Sequence, residues 1–176
     1  MVFKDGEGYG LDQKSELPKP LTLEDLYVGQ QFSSGEYLMD ADRMKAFAAE
    51  FDPQPFHLDE EAARNSVFRG LAASGWHTAS ATMRLLVTGG LPFAGGMVGL
   101  GGELAWSKPT RAGDRLRVNS EILDIAASRS KPNQAVVTVR SITVNQNGEQ
   151  LQVLTSKILI SKHQVNSAKI LEISEQ

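Results

Sequence analysis

The chain contains no cysteine, which removes disulfides, thiol nucleophiles and cysteine-ligated metals from consideration. No apolar run approaches the roughly 18 residues that a membrane-spanning helix needs. No cluster of lysine and arginine stands out, and a net charge of −3 offers no electrostatic footprint for nucleic acid. The polar start MVFKDGEGYG lacks the apolar core of a signal peptide. These absences leave a cytoplasmic protein, with neither nucleic acid nor membrane as a partner, as the expectation.

What is present suits one globular domain. The 176 residues are 41% hydrophobic and 22% charged, enough to bury a sizeable core. Residues 1–20 are polar, contain glycine and end in PKP, so they read as an arm ordered by packing on a partner if at all. The domain is expected over 21–165, with a C-terminal tail over 166–176. LTLEDL, from Leu21 to Leu26, suits one helical turn capped by Thr22, and QQFSSGEYLMD suits a strand made irregular by its glycine.

Helical spacing begins after Asp40, a candidate cap, with Met44, Phe47, Ala48 and Phe51 as one apolar stripe. Asp52-Pro53 ends that helix, because proline disfavours helical geometry in the residue before it. A short polar helix follows over Asp59–Ser66. Another starts near Gly75, with Trp76, Ala79, Met83 and Leu86 as its stripe. Its waist of Ala79, Ser80, Ala81 and Thr82 suits a helix wrapped closely by a sheet. Gly89-Gly90 and Pro92 terminate it. Four long strands come next: MVGLGGELAWS, RLRVNSEILDI, AVVTVRSITV and LQVLTSKILIS. Asn147-Gly148 marks a hairpin between the last two. The expected fold is α+β: a single hot-dog domain, a curved antiparallel sheet wrapped around a central helix. Exposed sheet edges call for at least a homodimer.

The stretch FDPQPFHLD places Asp52 and His57 five residues apart, with Pro53 and Pro55 stiffening the chain between them. An Asp and a His that share a cleft can hold a water and exchange protons with it. Asp before proline also forms turns, and Asp59 is positioned to cap the next helix, so the spacing alone admits both readings.

FAAEFDPQPFHLDEEAARNSVF, followed by LAASGW and WSKPTRAGDRL, resembles the MaoC-like acyl dehydratases, which include (R)-specific enoyl-CoA hydratases. The likeness covers Leu21 to Ile160. The family motif D-x-N-P-x-H stands here as Asp52-Pro53-Gln54-Pro55-Phe56-His57, with Gln54 in place of the asparagine. Ser74 stands where the family has a histidine before Gly75. The resemblance implies reversible hydration of a 2-enoyl-CoA, with Asp52 and His57 as the acid–base pair. Gly75 then offers its N–H to the thioester oxygen, Ser74 lies beside the substrate, and no cofactor is needed beyond the CoA thioester itself.

Other patterns are weaker. His57, Asp59 and His77 lack companions at a metal-ligand spacing, so no metal is expected. Ser74 lacks the second glycine of a nucleophile elbow. A hot-dog thioesterase needs a carboxylate or similar group on the central helix, and Gly75–Gly90 has neither Asp nor Glu. A non-catalytic acyl-CoA-binding module would keep the pocket without the chemistry. Gly90–Gly102 is glycine-rich and reads as either a lid or a turn. Arg111, Arg115 and Arg117 suit either CoA phosphates or a solvated sheet face, and His163 a solvated strand end.

Overall fold

The computed structural model describes residues 20–161. The arm before Pro20, the tail over 166–176 and His163 lie outside the described residues. A 3-10 turn over Leu23–Asp25 opens the domain, as the LTLEDL pattern suggests. Thr22 contributes donors there: its N–H and its hydroxyl both reach Oδ2 of Asp25 at 2.8 Å. Strands β1 (Gln31–Ser33) and β2 (Tyr37–Leu38) follow, interrupted at Ser34, Gly35 and Glu36.

Helix α1 (Ala41–Phe51) starts at Asp40, whose carboxylate accepts from the Arg43 N–H at 3.0 Å. Met44 and Ala48 are buried, while Phe51, expected in the same stripe, is 63% exposed. Two short helices, α2 (Pro55–Leu58) and α3 (Glu60–Arg64), lead towards α4 (Gly75–Leu85). A wider turn over Leu86–Gly90 extends α4 and ends where Gly89 adopts a positive φ of 143°.

Four long strands complete the domain: β3 (Val98–Trp106), β4 (Arg115–Ala127), β5 (Gln134–Val144) and β6 (Gln150–Ser161). These six strands pair antiparallel throughout, in the order β1-β4-β5-β6-β3, with β2 also on β4. The β5–β6 hairpin closes as the Asn147-Gly148 pair predicts: the Gly148 N–H donates to the Asn145 carbonyl at 3.0 Å, and Gly148 supplies a φ of 75°. Leu116, Val118 and Ile122 are fully buried and alternate with Arg115, Arg117 and Glu121. This is the single hot-dog domain, with one helix held against a curved sheet.

Helix α4 turns a different face to the sheet than the bulky stripe suggested. The buried residues are His77, Thr78, Ala81, Thr82 and Leu85, whereas Trp76 and Met83 are 59% and 48% exposed. Small and β-branched residues let the helix axis approach the sheet closely, and larger side chains are excluded from that gap. Thr82 fills it with a polar contact, its hydroxyl 2.7 Å from that of Thr143 on β5.

Gly90–Gly102 is not a free lid. Leu91, Phe93 and Ala94 are buried, and Leu21 pairs with Phe93 along the backbone. Among the described residues no helix is long and apolar enough to cross a membrane.

Candidate active site

The two prolines have separate jobs. Asp52 caps the end of α1, donating its N–H to the Ala48 carbonyl at 2.9 Å, and Pro53 stops the helix there. Pro55 is the first residue of α2, where its missing N–H removes no hydrogen bond and its fixed φ favours the helix. His57 thus sits on a single turn that returns towards Asp52. It is buried between Phe56 and Phe68.

Nδ1 of His57 lies 2.8 Å from the carbonyl oxygen of Ala72. A carbonyl only accepts, so Nδ1 carries a proton, and while the imidazole is neutral a bare Nε2 is turned the other way. That Nε2 faces Oδ2 of Asp52 at 3.4 Å.

Asp52 receives two donors. The Ser74 hydroxyl reaches Oδ2 at 2.7 Å, and the Gln54 side-chain amide reaches Oδ1 at 2.7 Å. The Ser74 hydrogen bond, foremost, holds the carboxyl below its ordinary range against the opposing effect of burial, with Gln54 and His57 also lowering it.

Ser74, expected beside the substrate, is fully buried behind Asp52. It also caps α4, accepting from the Trp76 N–H at 3.2 Å. Gly75 opens the helix and lines the cavity, and among the described residues no backbone carbonyl takes its N–H. A Cβ added there would lie 2.6 Å from Cε2 of Trp106, so the indole rests on the bare glycine.

Asp52, Gln54, His57, Gly75 and Trp106 border one cavity of about 470 Å³, which also touches Phe68, Thr78, Lys108 and Thr110. Its walls come from the residue that ends α1, from α2, the loop between α3 and α4, the start of α4, and the end of β3 with the turn after it. The turn is docked on the start of α4: the Ala73 N–H donates to the Thr110 carbonyl at 2.9 Å, and the Thr78 hydroxyl to that of Thr110 at 2.9 Å.

The arginines considered for CoA phosphates are engaged elsewhere. Arg111 donates to the carbonyls of Phe68, Gly70 and Leu71 at 2.5, 2.6 and 2.9 Å, which pins the loop carrying Phe68. Arg117 pairs with Glu36 at 2.9 Å, and Arg115 approaches the same carboxylate at 3.9 Å. His77 stacks on Phe47 with ring centroids 4.7 Å apart, and its buried Nδ1 finds no hydrogen-bond partner among the described residues. Among those residues, no group of three or more His, Asp or Glu side chains gathers in ligating geometry.

Sequence reasoning did not find the Trp106 wall. Trp106 is held by a chain of side chains from β6 and α4: its Nε1–H donates to Gln152 at 3.0 Å, and the Gln152 amide donates to Thr82 at 3.0 Å. No local pattern announces such a network.

A sheet wrapped on α4, with a cavity at the helix N-terminus, defines a hot-dog domain. Residues 10–145 match the MaoC like domain, and the chain belongs to that family. The MaoC-like dehydratase of Rhodospirillum rubrum is 56% identical over 82% of this chain and 99% of its own, with a TM-score of 0.81. The R-hydratase PhaJ1 of Pseudomonas aeruginosa is 26% identical over 80% of this chain and 85% of its own, at a TM-score of 0.62. The protein YdeM of Bacillus subtilis (strain 168) is 33% identical over 129 residues, 72% of this chain and 89% of its own.

Proposed function

We propose that this protein is a hydro-lyase that reversibly adds water across the C2=C3 bond of a 2-enoyl-CoA, with Asp52 and His57 as its acid–base pair. The observation that carries this reading is the approach of Oδ2 of Asp52 and Nε2 of His57 to 3.4 Å beside the cavity, two hydrogen-bond acceptors while the imidazole is neutral. Two facing lone pairs are satisfied together by one water that donates an O–H to each.

Water attacks C3 as one of the pair removes its proton. The C2=C3 electrons shift towards the thioester carbonyl, building an enolate-like oxygen, and the same proton is delivered to C2. The Gly75 N–H, at the positive end of α4, is the donor for that oxygen. One such donor typically contributes about 10²–10³ in rate. CoA enters as part of the substrate, and the scheme uses no cofactor.

The absence of Asp and Glu from Gly75–Leu85 argues against a thioesterase with its carboxylate on this helix. A homodimer belongs to the same reading. β3 is an edge strand of the described sheet, and Val98 and Leu100 on it are 57% and 54% exposed.

The test is turnover of a panel of trans-2-enoyl-CoAs of short, medium, branched and dicarboxylic type, followed by loss of the conjugated thioester absorbance. Hydration of at least one member, yielding the (R)-3-hydroxyacyl product, is expected. Binding of CoA esters with no turnover of any would favour the non-catalytic module.

A further inference from the structure

We propose that Ser74 and Gln54, the two positions at which the site departs from its family's motif, are positioning residues that fix Asp52 as an oriented carboxylate acceptor and leave His57 to carry the proton. This rests on the hydratase reading above.

Both departures fall on the same side chain. Each carboxylate oxygen receives one donor, Oδ1 from Gln54 and Oδ2 from Ser74, both at 2.7 Å. A carboxylate offers about four lone-pair sites, so each oxygen keeps one in reserve. The reserve on Oδ2 is available on the side of His57 Nε2.

Ser74 is fully buried, and its oxygen already accepts the Trp76 N–H, so its own hydrogen is directed to Asp52. A protonated Asp52 would bring a third donor into a site already supplied with two, the Ser74 O–H and the Gln54 N–H. The lowered titration of Asp52, caused first by the Ser74 hydroxyl, agrees with this arrangement.

His57 has one nitrogen to spare, because Nδ1–H is spent on the Ala72 carbonyl. In hydration, Nε2 takes the proton of the attacking water and returns it to C2. Asp52 accepts the water's other O–H, which stays on the product as its hydroxyl, and remains ionised throughout.

Among the described residues, His57 is the titratable side chain paired with Asp52. Lys108 lines the same cavity with its ammonium on Glu149 at 2.6 Å, and His77 on α4 stacks against Phe47.

Ser74→Gly and Gln54→Leu test the proposal on the full chain. Glycine caps a helix nearly as well as serine, so the first variant removes the hydroxyl with little effect on α4. Carbon-13 NMR follows the Asp52 carboxyl and nitrogen-15 NMR the His57 ring, alongside the pH dependence of kcat/KM for hydration.

The carboxyl titration should move to higher pH in each variant and further in the double variant. The amide-preserving Gln54→Asn should move it least. For Ser74→Gly and Gln54→Leu, kcat should fall on the order of tenfold with KM little changed. The acid limb of the wild-type profile should coincide with the His57 titration. An unmoved carboxyl titration in both variants, or an acid limb that follows Asp52, would overturn the proposal. A wild type silent towards every thioester would sink the hydratase reading, while the carboxyl titration would still decide whether Ser74 and Gln54 hold Asp52.

Discussion

Nε2 of His57 and Oδ2 of Asp52 stand 3.4 Å apart, each a hydrogen-bond acceptor while the imidazole is neutral and the carboxyl ionised. Two acceptors at that distance do not bond to each other. The arrangement is stable because each is anchored from behind, His57 by the Ala72 carbonyl and Asp52 by Ser74 and Gln54. The proposed reaction uses the polarity this leaves on the cavity side.

Gly75→Ala should disturb the site through Trp106 rather than through the helix. The new Cβ would meet the indole at 2.6–2.9 Å, so Trp106 must shift away from its bond to Gln152. Overpacking of this kind destabilises by about 1–3 kcal/mol. Urea unfolding should show that loss. The pair Gly75→Ala/Trp106→Ala should recover part of the added penalty relative to the sum of the singles.

Arg111→Met should weaken the fold by about 2–3 kcal/mol, the scale of hydrogen bonds to a charged group. It would release the carbonyls of Phe68, Gly70 and Leu71 and loosen the loop that brings Phe68 to the cavity. Arg111→Lys should not rescue it, because one ammonium cannot reproduce the guanidinium fork. Equal urea midpoints for wild type and Arg111→Met would contradict this role.

His77 should make the fold sensitive to mild acid. Burial, with Arg43 as a lesser cause, lowers its titration below the usual 6.5. The unfolded chain therefore binds a proton that the folded chain resists, and stability falls as pH drops below about 6.5. His77→Leu should flatten the decline of unfolding free energy between neutral pH and pH 5. An unchanged slope would show that another group sets it.

How much of this was legible in the sequence depends on the range of the interaction. Asp40 and Asp59 announce helices because a cap acts over three residues, and their side chains do accept from Arg43 and Ala62. Pro53, Pro55 and Asn147-Gly148 are equally local. The stripe on α4 misled because Trp76 and Met83 are the bulky apolar residues, whereas the gap under the sheet admits Thr78, Ala81 and Thr82.

Contacts between distant segments left no local trace. The bond of Ser74 to a carboxylate 22 residues earlier depends on how α1 and α4 meet. Arg111 looked like a solvated cation or a phosphate ligand until the carbonyls some 40 residues earlier came into reach. Trp106 meets Gly75 only because β3 and the turn after it return to the start of α4.

The most direct measurement is the turnover of Asp52→Asn, His57→Ala and the double variant on the best enoyl-CoA of the panel, with folding checked by circular dichroism. Each single change should lower kcat by about 10²–10⁴. The double variant should be little worse than either single, because the two groups act on one water as a unit. A folded Asp52→Asn or His57→Ala protein that hydrates the substrate at the wild-type rate would contradict the account.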